Sequence, residues 1–217
     1  MKTRLLITAA TEKELSAVST DAYADIVDAD FLVTGVGSVF TVYALMNYLV
    51  NNKNPDYIIN IGIAGSFTLR YAIGDTIVVT EDFFADLGVE EQTGFKSIWE
   101  EGLIGSGEFP FNKGAVQCDP RIKELLGPDI KKVRGITVNT ASGIDKTIRR
   151  YIERYMPDIE TMEVAAALYV GRMENIPVIA LRSVSNIIEP RNKEAWDINK
   201  AIEALQPALN NIIEKIH

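Results

Sequence analysis

The sequence predicts an α/β fold on two observations: apolar runs rich in branched residues alternate with stretches of helical period, and glycine turns follow two of those runs. With 217 residues, 47% of them hydrophobic, the chain is long enough to hide roughly 70% of its unfolded surface. One domain over residues 1–217 is therefore expected, with no need of a disulfide or a structural metal. Residues 4–10 read as the first strand, with Thr11 placed to cap a short helix behind it. A strand over 30–34 leads to a helix whose face is marked by Val39, Val42, Met46 and Leu49 and which Asn54 and Pro55 stop. Strands follow over 56–61, 75–84, 133–138 and 177–185, with residues 87–113, rich in Gly, Phe and Glu, as an excursion from the sheet. Near the end, Ile198, Ile202, Leu205, Leu209, Ile212 and Ile216 recur at alternating spacings of four and three, the stripe of one amphipathic helix lying on the sheet.

Composition removes several kinds of chemistry. Cys118 is the single cysteine and His217 the single histidine, which leaves no internal disulfide, no histidine cluster for zinc, and no Ser/His or Cys/His relay. Carboxylates are left to do the work. A net charge of −8, with 22 basic against 30 acidic residues and no visible basic patch, argues against a nucleic-acid partner. No leader-like segment and no apolar run of bilayer-spanning length is visible, so a soluble, cytoplasmic protein is expected.

Two glycine turns, Gly35-Val36-Gly37 and Gly62-Ile63-Ala64-Gly65, stand after strands, where open sheets bind ligands. Phe40 fills the third glycine position of a dinucleotide fingerprint, and no G-K-[ST] follows either turn, so neither NAD nor an ATP phosphate cradle is supported. Glu12 and Glu14 lie just past the first strand, where the positive start of a helix favours acids. Glu163 precedes Val164, Ala165, Ala166 and Ala167, small residues that imply a tightly packed helix and a buried carboxylate in need of a partner. Arg182, Ser183, Ser185 and Asn186 crowd polar groups at the end of an apolar strand.

In that order, Glu14, Gly62-Ile63-Ala64-Gly65 with Gly74-Asp75, Met162-Glu163 and Arg182-Ser183-Val184-Ser185-Asn186 resemble the purine nucleosidase and phosphorylase superfamily over nearly the whole chain. More narrowly, 86–90, 137–140, 160–163 and 185–192 with Trp196 are similar to the futalosine hydrolase family. The resemblance implies a three-layer α/β/α fold around a twisted, partly closed mixed sheet, and cleavage of futalosine, an intermediate of menaquinone biosynthesis, to hypoxanthine and dehypoxanthinyl futalosine. It implies that Glu14, with Glu12 its near rival, activates water, that Glu163 grips the ribose hydroxyls, and that Met162 lines the sugar. Arg182 would order the sugar and water region, Asn186 read the purine, and Trp196 close over the ligand; Ile63, Ala64, Gly65, Val138 and Ser185 complete the substrate wall. No cofactor or metal is implied, and the partners expected are a nucleoside, water and further copies of the chain.

The sequence departs from the related methylthioadenosine nucleosidases in four places. Ile63 replaces a small hydroxyl residue, Gly143 stands near the expected stacking aromatic, Val164 replaces a glycine, and Asn186 replaces an aspartic acid. An amide cannot supply a titratable proton, but its NH2 can donate to the oxygen of a 6-oxopurine, which favours hypoxanthine over adenine. The alternatives are a methylthioadenosine or adenosylhomocysteine nucleosidase, a purine nucleoside phosphorylase, for which Arg70 is the one nearby phosphate candidate, and a noncatalytic nucleoside-binding protein. Arg191 and the 87–113 excursion are candidates for the carboxyphenyl end of futalosine, with no role assigned.

Overall fold

The computed structural model describes residues 2–92, 94–190 and 192–217. In chain order the elements are β1 (Thr3–Ala9), α1 (Glu12–Leu15), β2 (Val27–Val33), α2 (Ser38–Asn51), β3 (Tyr57–Ser66), β4 (Thr76–Phe84), β5 (Gly88–Glu91), β6 (Gly94–Ser97), β7 (Phe111–Asn112), β8 (Ala115–Gln117), α3 (Pro120–Leu125), β9 (Lys132–Thr137), α4 (Asp145–Tyr155), β10 (Ile159–Thr161), α5 (Val164–Met173), β11 (Val178–Ile187), α6 (Ile198–Glu203) and α7 (Leu205–Ile216). All six expected strands are present. The sheet is mixed: β2, β1, β3 and β11 run parallel, β11 meets β4 antiparallel, and β4 and β9 are parallel.

β10 then closes the sheet upon itself. It pairs with β9 through Ile159 opposite Gly135 and with the far end of β3 through Ile159 opposite Ser66, so hydrogen bonding runs β3–β11–β4–β9–β10 and returns to β3. Full burial of Leu5, Leu6, Ile7, Ile58, Ile59, Ile77, Val78, Val79, Ile179 and Ala180 follows from cover on both faces. α5 packs on β4, β9 and β11, with α2 against it, while α6 and α7 pack on β11. This is the three-layer arrangement. Gly171 permits the closest approach of α5, since a Cβ there would fall 2.2 Å from the Val178 side chain. Val164 itself is fully buried in the core.

Four expectations change. On α2 the buried face is Thr41, Leu45 and Leu49, while Val39 is 75% exposed. The terminal stripe is split into α6 and α7 at Ala204, because Pro207 in the first turn of α7 has no amide to continue the ladder. β10 was not expected at all, since three residues are too few to show a period. The excursion folds as the hairpin β5–β6 and then returns β7 and β8 to the edge of β4. Among the described residues no helix is long and apolar enough to cross a membrane.

Candidate active site

The cleft opens where β3 changes partners. β1 accompanies β3 up to Thr8 opposite Asn60, and β10 joins the same strand only at Gly65, so the two neighbours part at the carboxyl end of the sheet. Such a parting leaves a crevice with backbone groups to satisfy. The Glu14 carboxylate meets one of them, its Oε1 accepting from the Ile63 amide at 3.2 Å. Its Oε2 accepts from the Thr11 amide at 3.0 Å and the Thr11 hydroxyl at 2.7 Å, while that hydroxyl accepts from the Glu14 amide, a reciprocal cap on the four-residue helix α1. Glu14 is 7% exposed, whereas Glu12 faces solvent and stays off the cleft wall.

Glu163 lines the same cleft from the N-cap of α5. Its Oε1 accepts from the Gly37 amide at 3.0 Å and its Oε2 from the Met162 amide at 3.3 Å. Gly37 adopts φ +100, a conformation that side chains rarely allow, and this carries its amide to the acid. Burial pushes the Glu163 carboxyl above its ordinary value, opposed first by the positive charge of Arg182 and assisted by the negative charge of Glu14.

Arg182 lies behind the wall, 1% exposed. Its guanidinium donates to the carbonyls of Asn60 (2.8 Å) and Leu181 (2.9 Å) and to Asn60 Oδ1 (2.6 Å), and Asn60 is itself pinned to Thr8 at 2.9 Å. Desolvation lowers its pKa, countered by Glu163, Glu14 and Asp82. Gly62 separates this cation from Glu14: a Cβ there would sit 3.2 Å from Glu14 Oε1 and 3.5 Å from the Arg182 Cζ. Asp82, wholly buried and pushed well up by desolvation, accepts from the Thr137 hydroxyl at 2.8 Å; that hydroxyl in turn accepts from the Ala165 amide at 2.9 Å in the first turn of α5.

The third corner is a β-bulge. Pairing of β11 with β3 skips a residue between Val184 and Asn186, which turns Ser185 and Asn186 toward Ala64 and Gly65. The Ser185 hydroxyl lies 2.9 Å from Asn186 Oδ1 and 3.2 Å from the Ala64 carbonyl, and Asn186 Nδ2 donates to the Ile187 carbonyl at 3.2 Å. That NH2 also lies 3.3 Å from where a Gly65 Cβ would be, so glycine keeps it accessible from the cleft. The cavity enclosed by these walls measures about 430 Å³, within the range of small-molecule sites.

The sequence profile of the phosphorylase superfamily matches residues 31–216. The chain belongs to the phosphorylase superfamily. Futalosine hydrolase of Acidothermus cellulolyticus is 31% identical over 187 residues, 83% of this chain and 73% of the relative, and that of Streptomyces coelicolor is 28% identical over 191 residues, 84% and 77%. Two Helicobacter pylori structures share the fold with a TM-score of 0.81 and 12% identity: a futalosine hydrolase covering 98% of both chains, and a 5′-methylthioadenosine/S-adenosylhomocysteine nucleosidase covering 99% of both.

In this phosphorylase-superfamily cleft the structure brings together Glu14, Ile63, Ala64, Gly65, Met162, Glu163, Ser185, Asn186 and Trp196. Two expected substrate contacts fall elsewhere. Val138, one residue past the end of β9, is wholly buried in a separate cluster with Ile136, Tyr151 and Tyr155 and does not reach the cleft. Arg182 donates through its two terminal nitrogens to Asn60 and Leu181, keeps a buried Nε without a partner, and stands behind Gly62 rather than on the wall. Arg70 is an exposed residue 3.9 Å from Asp158 and off the cleft, and Arg191 lies outside the described residues. Missed from sequence were Lys13, Ser142 and Glu160, all on the wall. Glu160 accepts from the Ser142 amide at 2.9 Å and from its hydroxyl, and burial raises its pKa. Its place in the acid-rich run 160–163 was a usable signal.

Proposed function

We propose that this chain hydrolyses the N-glycosidic bond of futalosine, releasing hypoxanthine and dehypoxanthinyl futalosine, as a step of menaquinone biosynthesis in the cytoplasm. The observation that carries the reading is the pair of buried acids, Glu14 and Glu163, lining one cleft together with an amide, Asn186. An N-glycosyl hydrolase must meet positive charge on the sugar and negative charge on the departing base. Glu163 accepts from the ribose hydroxyls and strengthens as the ring becomes cationic. Glu14 has Oε2 held by Thr11, and its Oε1 takes the proton of a water whose oxygen attacks the anomeric carbon. The C–N bond breaks, and the purine leaves with the bonding pair and takes a proton from solvent water, while Glu14 returns its own to solvent. Arg182, one residue layer behind, balances both acids electrostatically.

The substrate base follows from Asn186. Its amide oxygen is within reach of the Ser185 hydroxyl, which leaves an N–H facing Gly65 as the group offered to the cleft. A donor there suits the oxygen of hypoxanthine better than the amine of adenine. The futalosine hydrolase relatives favour the same choice. Copies of the chain would associate through apolar surface such as the exposed face of α2, where Val39, Phe40 and Tyr43 are 75%, 63% and 73% exposed.

The test is incubation with futalosine, inosine and methylthioadenosine, with and without phosphate, and chromatography of the products. Hypoxanthine released fastest from futalosine, independently of phosphate, is expected. Faster adenine release from methylthioadenosine makes it a nucleosidase of that substrate, phosphate dependence a phosphorylase, and binding without base release a nucleoside-binding protein.

A further inference from the structure

With the base assigned to the corner of Asn186 and Gly65 and the sugar between Glu14 and Glu163, two parts of the wall are left over: the acidic part at Ala141, Ser142 and Glu160, and a part that holds a lysine. The second is formed by Lys13 on α1 and by Trp196, Ile198 and Ile202, at and just before α6. Its chemistry differs from the rest. Among the described residues lining the cleft, Lys13 carries the one positive charge, in a wall that otherwise holds the acids Glu14, Glu160 and Glu163. Lys13 and Asn199 are both exposed; Lys13 Nζ donates to Asn199 Oδ1 at 2.9 Å, which links α1 to the first turn of α6, the helix that brings Ile198 and Ile202 to the wall. An ammonium has three donors, so two remain after Asn199. A ring with an acid substituent matches this combination of an apolar wall and a cation at its exposed edge.

We propose that Lys13, positioned by Asn199, binds the carboxylate of the substituent attached to the 5′ side of the sugar, and so selects nucleosides bearing an anionic aromatic group there. This rests on the futalosine reading and names the part of the site that separates such a substrate from an uncharged 5′-thioether. Lys13 acts in binding and not in the chemistry, because the carboxylate is remote from the breaking bond and its charge is the same before and during reaction. Uniform binding of that kind lowers KM and leaves kcat in place.

The experiment compares futalosine with its decarboxylated analogue on the wild type and on Lys13→Met, Lys13→Arg and Asn199→Ala. A charge-assisted contact of this class predicts that Lys13→Met raises KM for futalosine about tenfold, with kcat little changed and the KM of the analogue unmoved. Lys13→Arg restores most of the loss, and Asn199→Ala gives a smaller rise confined to the acid substrate. Equal changes for the two substrates, or none for futalosine, overturn the carboxylate contact while leaving the hydrolase reading intact. Wild-type protein that releases no base from either substrate overturns the reading itself and the contact with it.

Discussion

The two buried acids of the cleft are held by opposite means. On the Glu14 side the acid is bound by neighbours in its own turn, Thr11 supplying two donors, with one more from Ile63. On the Glu163 side the donor at Oε1 comes from Gly37, 126 positions away in sequence, and the carboxyl is pushed up by burial while Arg182 opposes the shift. The locally built acid has three donors on its two oxygens, all but one from its own turn. An acid held in a dry place has a stronger electrostatic response to a cationic sugar, at the cost of ionising less readily.

Removing the charge on each side breaks the comparison most sharply. Glu14→Gln should keep nucleoside binding and lower kcat by about 10²- to 10⁴-fold, the range of a lost general base; single-turnover base release with a separate binding titration reads the two parts, and undiminished turnover refutes the assignment. Glu163→Gln should lose about tenfold or more on ribosides, from the loss of charge-assisted contacts, and less on 2′-deoxyribosides, so equal losses on the two series exclude a hydroxyl contact.

A pH profile sharpens the same contrast. With its pKa raised, Glu163 is neutralised by acid at a higher pH than an ordinary glutamate, so the acid limb of kcat/KM should lie above the usual carboxylate range. In Glu163→Gln that limb should move to lower pH, and a limb that stays in place assigns it to another acid. The smallest effect belongs to the Glu14 side. Thr11→Val removes the hydroxyl from the cap but keeps the backbone amide, and should cost about 1 kcal/mol in denaturant midpoint analysis, with a loss of kcat well short of that of Glu14→Gln.

Sequence legibility divides along the same line. Glu14 was readable, with Glu12 as its near rival, because most of what places it is local: a strand end, a capping threonine and an acid three residues later, with only the Ile63 amide coming from farther off. Each of the six strands that carry the sheet was long enough to show its apolar run. Glu163 was readable as a buried acid, but its partner Gly37 was not, since nothing in either segment records which distant turn it will meet. Val138 and Arg182 mark a finer limit: a motif places a residue at the right strand end, while packing and the neighbours' demands decide whether its side chain reaches the cavity. Lys13 went unnoticed because a lysine between two glutamates on a short helix resembles any solvated turn; only the fold brings Asn199 alongside it.

The short strand β10 has a consequence for how the molecule can be cut. It is the clasp of the strand ring, and the chain passes directly from it through Met162 to Glu163. A nick or permutation point within 98–109, in the loops beyond the β5–β6 hairpin, leaves every rung of that ring in place, whereas one next to residue 161 frees Glu163 from the frame that aims it. Tolerance to scission in this protein is therefore set by which break unfastens the clasp, not by how far along the chain it falls from the acids.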